Sequence, residues 1–275
     1  MRLFLTALAF LVLAHIAYAE EQIWTAKGTL QLEAGKYRLS FREKTFWRIC
    51  GFAYEGKELF IENPGASSSG TRYEIFPKDQ TEKLNSVKLT VDGALSPKVE
   101  GIMKGNRLVL EREARYGTIT LFSRYELNAE DGLVWTFKYK VEDTSTKPKY
   151  FWMFTMAWDN SFSKYMYMDK NGARQGDLVS DHSWRINDNI NALAMYSPKL
   201  QALVLTKVLT PIPTEVRKHT IWDTKSYHKY FVQHKLPKWE VGYISPEYAT
   251  SYTAYTVSEE QWLEKAKLQF SSNDK

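Results

Sequence analysis

Four histidines follow the first twenty residues: His182, His219, His228 and His234. Three of them fall within residues 218–235, beside Trp222 and Tyr227. Histidine titrates near neutral pH, so such a stretch suits proton transfer or metal binding. The spacing contains no His-x-x-x-His pair and no carboxylate at a ligand interval, so it carries no zinc signature. No metal and no cofactor is expected. Acid–base chemistry can be written more concretely. Elimination from a uronate needs a base for the proton next to the carboxylate and a cation or neutral donor to hold that carboxylate as charge builds. Tyr227 or His228 would supply the base, Arg174 or Arg185 the grip, and His182 would assist.

Binding without catalysis asks for less. Sugar rings present apolar C–H faces that pack on flat aromatics, and hydroxyls that need polar partners. The chain has 9 Trp and 17 Tyr, more than a core needs. Trp152, Trp158, Trp184, Trp222 and Trp239 are platform candidates, with Asp159, Asn160, Asp181, Arg185 and Asn187 as hydrogen-bonding partners. Trp152 and Trp158 sit in an apolar run and read equally well as core. Trp184 lies between Ser183 and Arg185 in a polar stretch and is the one expected at the surface. The binding set is therefore Trp184, Trp222, Arg185 and Asp181.

The elements that must position these residues read as strands. Residues 133–141 alternate apolar and polar side chains, as a half-buried strand does. Similar runs occupy residues 37–41, 107–111, 119–122, 150–158, 165–168, 192–196, 202–207, 230–233 and 251–257. Turn-forming pairs separate them: Asp92-Gly93, Asp131-Gly132 and Asn171-Gly172. Lys104-Gly105-Asn106, between residues 99–103 and 108–110, reads as a hairpin. Residues 63–70 and 169–191 read as loops. Ser258-Glu259-Glu260-Gln261 fits a capping box, after which Trp262, Leu263, Ala266 and Phe270 share one side of a short helix. Strands at this spacing, without helices between them, predict an all-β antiparallel sandwich in one domain over residues 20–275.

Residues 1–19 have the form of an export signal: Arg2, an apolar run over 3–16 broken only by Thr6 and His15, then Ala17-Tyr18-Ala19. A periplasmic or extracellular protein starting near Glu20 is expected, with no later apolar run long enough to span a membrane. Cys50 is the single cysteine, so no intrachain disulfide forms, and its strand-like surroundings predict a buried thiol. The net charge of +5 is spread along the chain without a basic block, which argues against nucleic acid and slightly favours acidic glycans. There is no Gly-rich phosphate loop, no Gly-x-Ser-x-Gly elbow and no EF-hand loop.

The order of strands resembles the galactose mutarotase-like supersandwich. The resemblance is carried by an early strand pair, residues 47–54 and 58–61 joined through Glu55-Gly56-Lys57, by the long mid-chain meander, and by a hairpin formed by residues 192–198 and 202–205. It implies the fold of sugar epimerases and of β domains in polysaccharide lyases and glycosidases. Mutarotases carry a His-x-Tyr-Phe strand end, a second histidine and a late glutamate base. Here His182 stands in Asp181-His182-Ser183-Trp184 instead, so mutarotase activity itself is not implied. Three functional classes follow: a carbohydrate-binding protein, a polysaccharide lyase or sugar epimerase, and an envelope structural or protein-interaction module.

Overall fold

The computed structural model describes residues 27–60, 72–73, 82–147, 151–210, 217–234 and 238–271. The leader at residues 1–19 and the loop at 63–70 lie outside the described residues. The chain runs through β1 (Thr29–Ala34), β2 (Tyr37–Arg42), β3 (Arg48–Tyr54), β4 (Lys57–Phe60), β5 (Arg72–Tyr73), β6 (Glu82–Val91) and β7 (Ala94–Leu95). It continues through β8 (Gly101–Lys104), β9 (Arg107–Tyr116), β10 (Ile119–Asn128), β11 (Gly132–Val141), β12 (Phe151–Asp159), β13 (Lys164–Asp169) and β14 (Gly172–Asp177). Then come β15 (Trp184–Asp188), β16 (Ala192–Ser197), β17 (Ala202–Val208), β18 (Arg217–Asp223), β19 (Tyr227–His234), β20 (Tyr248–Thr256) and a C-terminal helix, α1 (Trp262–Ser271).

Two ten-stranded sheets pack face to face. The first runs β15-β18-β19-β12-β4-β3-β2-β1-β8, with β5 also on β12. The second runs β14-β13-β16-β17-β20-β11-β10-β9-β6-β7. The protein is an antiparallel β-sandwich with one short C-terminal helix, as its alternating pattern predicts. The period-two side chains of β11 show why: Leu133, Trp135, Phe137, Tyr139 and Val141 all enter the main core. Across the core Trp135 stands edge-on to Phe154 of β12 in the facing sheet at 5.3 Å. The Tyr37 hydroxyl crosses between the sheets, donating to the Ala254 carbonyl (3.3 Å) and accepting from its N–H (3.2 Å). Gly132 closes the β10–β11 turn at φ 82°, where a Cβ would run into the Tyr252 carbonyl.

Helix α1 lies on the outer face of the second sheet. Trp262, Ala266 and Phe270, the side named by the sequence pattern, form a separate cluster with Met166, Ala194, Tyr196, Leu203 and Leu205. Trp262 stacks on Tyr196 with ring centres 5.5 Å apart and planes 4° off parallel. The helix begins after the turn at Ser258, whose carbonyl accepts from the N–H of Gln261 (3.2 Å) and Trp262 (3.1 Å). Among the described residues no helix is long and apolar enough to cross a membrane. Cys50 is buried.

Two expectations need correction. Lys104-Gly105-Asn106 does not close a hairpin. β8 pairs parallel with β1, Leu30 opposite Gly101, while β9 belongs to the other sheet. The turn carries the chain between sheets and is pinned there. The Gly105 N–H donates to the Glu33 carbonyl (3.2 Å), and Asp92 Oδ1 accepts from the N–H groups of Asn106 (2.9 Å) and Arg107 (2.8 Å). Residues 169–191, expected to be a loop, contain β14 and β15. β14 is an edge strand with no buried residue, so it shows no apolar alternation to read.

Candidate functional site

β15, β18 and β19 form one edge of the first sheet and carry most of the residues singled out by their chemistry. On β19, Tyr230 and Val232 enter the main core, which leaves Lys229 and Phe231 on the outer face. Trp222 of β18 stands opposite Lys229, and Trp184 of β15 stands opposite Trp222, so the outer face carries a transverse aromatic row. The indoles of Trp184 and Trp222 stack with centres 5.6 Å apart and planes 22° off parallel. Phe231 meets Trp184 edge-on at 6.0 Å and stacks on Trp152 at 4.5 Å. The fully buried Lys229 places its ammonium 4.8 Å from the Trp152 ring centre and 5.7 Å from that of Phe231. Trp184, expected at the surface, is 54% exposed. It is the solvent-facing end of a packed aromatic layer.

A buried carboxylate holds the rim beside this layer. Asp223, at the end of β18, has no solvent exposure. Its Oδ1 accepts from the Ser180 N–H (3.0 Å) and lies 2.9 Å from His228 Nδ1. Its Oδ2 accepts from the Val179 N–H (2.8 Å) and from Arg185 Nε (2.9 Å). Arg185 reaches onward to Asp181 Oδ2 at 2.7 Å. Asp181 in turn accepts the Ser183 N–H through Oδ1 (3.0 Å), an Asx turn beside Trp184. The segment is strained: Ser180 and His182 sit at φ 60° and 63°, a region non-glycine residues avoid. The two N–H bonds to Asp223 explain how one of those conformations is held.

The electrostatics follow from this geometry. Burial draws the Arg185 guanidinium down, but its contacts with Asp223 and Asp181 outweigh that and raise it above its ordinary value. The Ser183 side chain, and behind it the Ser183 N–H and Arg185, hold Asp181 below the usual carboxylate range. Burial pushes His228 below the usual imidazole value, against the pull of the Asn160 carbonyl at 3.2 Å and of Asp223. Asp223 is also shared with Arg185 and two N–H groups. The 2.9 Å approach of His228 Nδ1 is a close contact and lacks the alignment of a hydrogen bond.

The eight residues picked from sequence thus fall into groups. Arg185 and His228 converge on Asp223, Asp181 joins them through Arg185, and Trp184 stacks on Trp222 in the same three strands. His182 is exposed in the adjoining turn. Tyr227 precedes His228 in the hairpin and packs part-buried against the main core. Arg174 stands elsewhere: on β14 of the second sheet its Nε pairs with Asp169 Oδ2 at 3.1 Å. Of the other platform candidates, Trp158 is a fully buried core residue edge-on to Phe52, and Trp239 packs part-buried on the same core. Asp223 was not singled out from the sequence. The one local signal is its place at a strand end before Thr224, whose Oγ1 donates to the Tyr227 carbonyl (2.6 Å) and closes the hairpin.

No family model and no curated protein matches the sequence. Solved structures do match in fold. A provisionally assigned aldose 1-epimerase from Escherichia coli K12 aligns over 83% of this chain and 99% of its own, with a TM-score of 0.50 at 11% identity. The α-N-acetylgalactosaminidase NagBb from Bifidobacterium bifidum, solved with GalNAc, aligns over 88% of this chain with a TM-score of 0.52 at 8% identity. This chain spans only 38% of that glycosidase. At such identities the likeness is one of architecture. The chain has the galactose mutarotase-like supersandwich fold, which it shares with carbohydrate-active enzymes.

Proposed function

We propose that this is an exported carbohydrate-binding protein whose ligand rests on the Trp184–Trp222 stack at the edge of the first sheet. The observation that carries the reading is an indole left 54% exposed yet fixed in a stack, next in sequence to Arg185, which the buried Asp223 holds and which in turn holds Asp181. A rigid aromatic platform with a few placed polar groups is what a sugar ring needs: C–H faces on the indole and hydroxyls on the charged rim. The fold neighbours fit this class, since one is assigned as an aldose epimerase and the other is a glycosidase. Export rests on the leader read at residues 1–19.

Binding ranks ahead of a lyase because the lyase groups are already engaged or buried: Arg185 is held by Asp223 and Asp181. Arg174 is engaged by Asp169 in the other sheet, and His228 has no solvent exposure. The test uses the protein from Glu20 onward with a panel of neutral and acidic polysaccharides. Thermal shift, unsaturated-uronate absorbance and reducing ends are followed together. Expected is a thermal shift without product, because a ligand that prefers the native state raises its apparent stability. Trp184→Ala should weaken binding at least tenfold, about 1.4 kcal/mol, with little change in melting temperature. New absorbance or reducing ends would move the protein to the lyases. Binding indifferent to both Trp184→Ala and Trp222→Ala would remove the platform. A protein that ignores every glycan but captures envelope components would be an interaction module.

A further inference from the structure

Among the described residues the two sheets end in four edges, and three of them carry devices by which sheets avoid further pairing. β15 is bulged at Arg185, since Trp184 stands opposite Trp222 but Ile186 opposite Ile221. β8 has only four residues and pairs parallel with β1. β6 is covered at one end by the two-residue β7 and is broken by a register shift between Leu84 and Ser86. β14 has none of these. Its six residues pair with β13 in unbroken register, from Gly172 opposite Asp169 to Asp177 opposite Lys164, and they include no proline.

The backbone shows which groups this edge leaves open. The Leu178 N–H donates to the Ser163 carbonyl (2.8 Å), one step beyond the last ladder pair. Bonded pairs alternate along an antiparallel ladder, so Gly176, Arg174 and Gly172 also bond inward to β13. Ala173, Gln175 and Asp177 turn their N–H and C=O groups away from it, and all three residues are exposed. A second β14 laid antiparallel meets this row on a two-fold axis at Gln175. Ala173 then stands opposite Asp177 of the second copy, Gln175 opposite Gln175, and Arg174 opposite Gly176. Each outward-facing pair exchanges two N–H···O bonds, and no like charges stand directly opposite. Arg174 is paired with Asp169 of its own chain at 3.1 Å and would face a glycine, so its charge does not oppose the approach. The Gln175 amide both donates and accepts, so it matches its own copy across the axis. We propose that β14 is a homodimer edge, at which two copies join their second sheets into one continuous sheet.

The pairing uses no residue of the Trp184 platform, so either can fail alone. One strand pair is a small interface, so sedimentation velocity on the protein from Glu20 onward should show a weak, concentration-dependent dimer between ~1 and ~300 µM. Gln175→Pro removes an N–H that β13 does not use. The monomer should keep its circular dichroism and melting temperature, while dimerisation weakens at least tenfold. Charge at position 175 gives the sharper test. Gln175→Lys and Gln175→Glu each place like charges on the axis and should weaken self-association at least tenfold. An equimolar mixture of the two variants should recover a mixed dimer, and ~500 mM salt should narrow these differences. A protein that is monomeric throughout this range would overturn the proposal. So would a dimer indifferent to Gln175→Pro, whose interface must lie elsewhere, and a mixture of the Lys and Glu variants that stays monomeric. A monomer that instead takes up an extended peptide along β14 would overturn the second copy as its occupant.

Discussion

Truncating Asp223 would leave Arg185 and the N–H groups of Val179 and Ser180 facing a void in a dry part of the protein. Removing one partner of a buried charge pair costs about 3–5 kcal/mol. Asp223→Ala should therefore lower unfolding stability in urea by about that much, and Asp223→Asn by less, because the amide oxygen still accepts. A loss below about 1 kcal/mol for Asp223→Ala would mean that water already supports the rim. His228 gives a pH test. Its folded value lies below the ordinary imidazole value, so above pH ~6.5 both folded and unfolded chains are neutral at this residue. As pH falls through ~6.5 the unfolded chain takes up the proton first, and stability declines until the folded chain protonates too. The melting temperature should drop more steeply between pH 7 and pH 5 in the native protein than in His228→Gln, and equal slopes would refute the shift. Residue types alone gave Trp184, Trp222, Arg185, Asp181 and His228, because indoles and charges in one polar stretch are visible in sequence. Asp223 was invisible because its partners lie some forty positions upstream, in a loop that only the fold returns to it. Arg174 was misplaced for the converse reason: sequence proximity to Asp181 says nothing about which sheet a strand joins.

Among the elements, those with one wet face were legible and those without were not. β11 and β10 alternate cleanly because each separates a core from solvent, and the side of α1 that packs was readable from its apolar spacing. β14 carries no such signal because neither face is covered, and the Lys104-Gly105-Asn106 turn looks like any tight turn until β8 is seen to join β1. Helix α1 makes its own prediction. It is held by Trp262, Ala266 and Phe270 against a cluster separate from the main core. Trp262→Ala should cost about 3 kcal/mol, in the range of buried Trp truncations. The loss should be local, with amide exchange rising in α1 while β10 and β11 stay protected. Uniform loss of protection would mean that helix and sandwich unfold together.

At the level of the whole molecule, the end of the chain completes the middle of a sheet. β20 lies between β17 and β11, with Leu133 opposite Tyr252 on one side and Leu205 opposite Thr253 on the other. It also receives the Tyr37 hydroxyl from the facing sheet. Without β20 the second sheet would fall into two pieces with two fresh edges, each a row of unpaired N–H and C=O groups. A chain ending after residue 247 should therefore fail to form a native core, with flat near-ultraviolet circular dichroism and aggregation. A chain ending after residue 257 keeps every described strand and loses α1. It should retain the sandwich and the Trp184 platform, and bind a hydrophobic dye through the uncovered Met166, Tyr196, Leu203 and Leu205 surface. Because β11 cannot close on β20 until nearly the whole chain is present, folding should be slow for a protein of this size, in the millisecond-to-second range of non-local β topologies. A shorter chain that folds as well as the longer one would show that the sheet tolerates an open centre, which the pairing of β20 on both sides argues against.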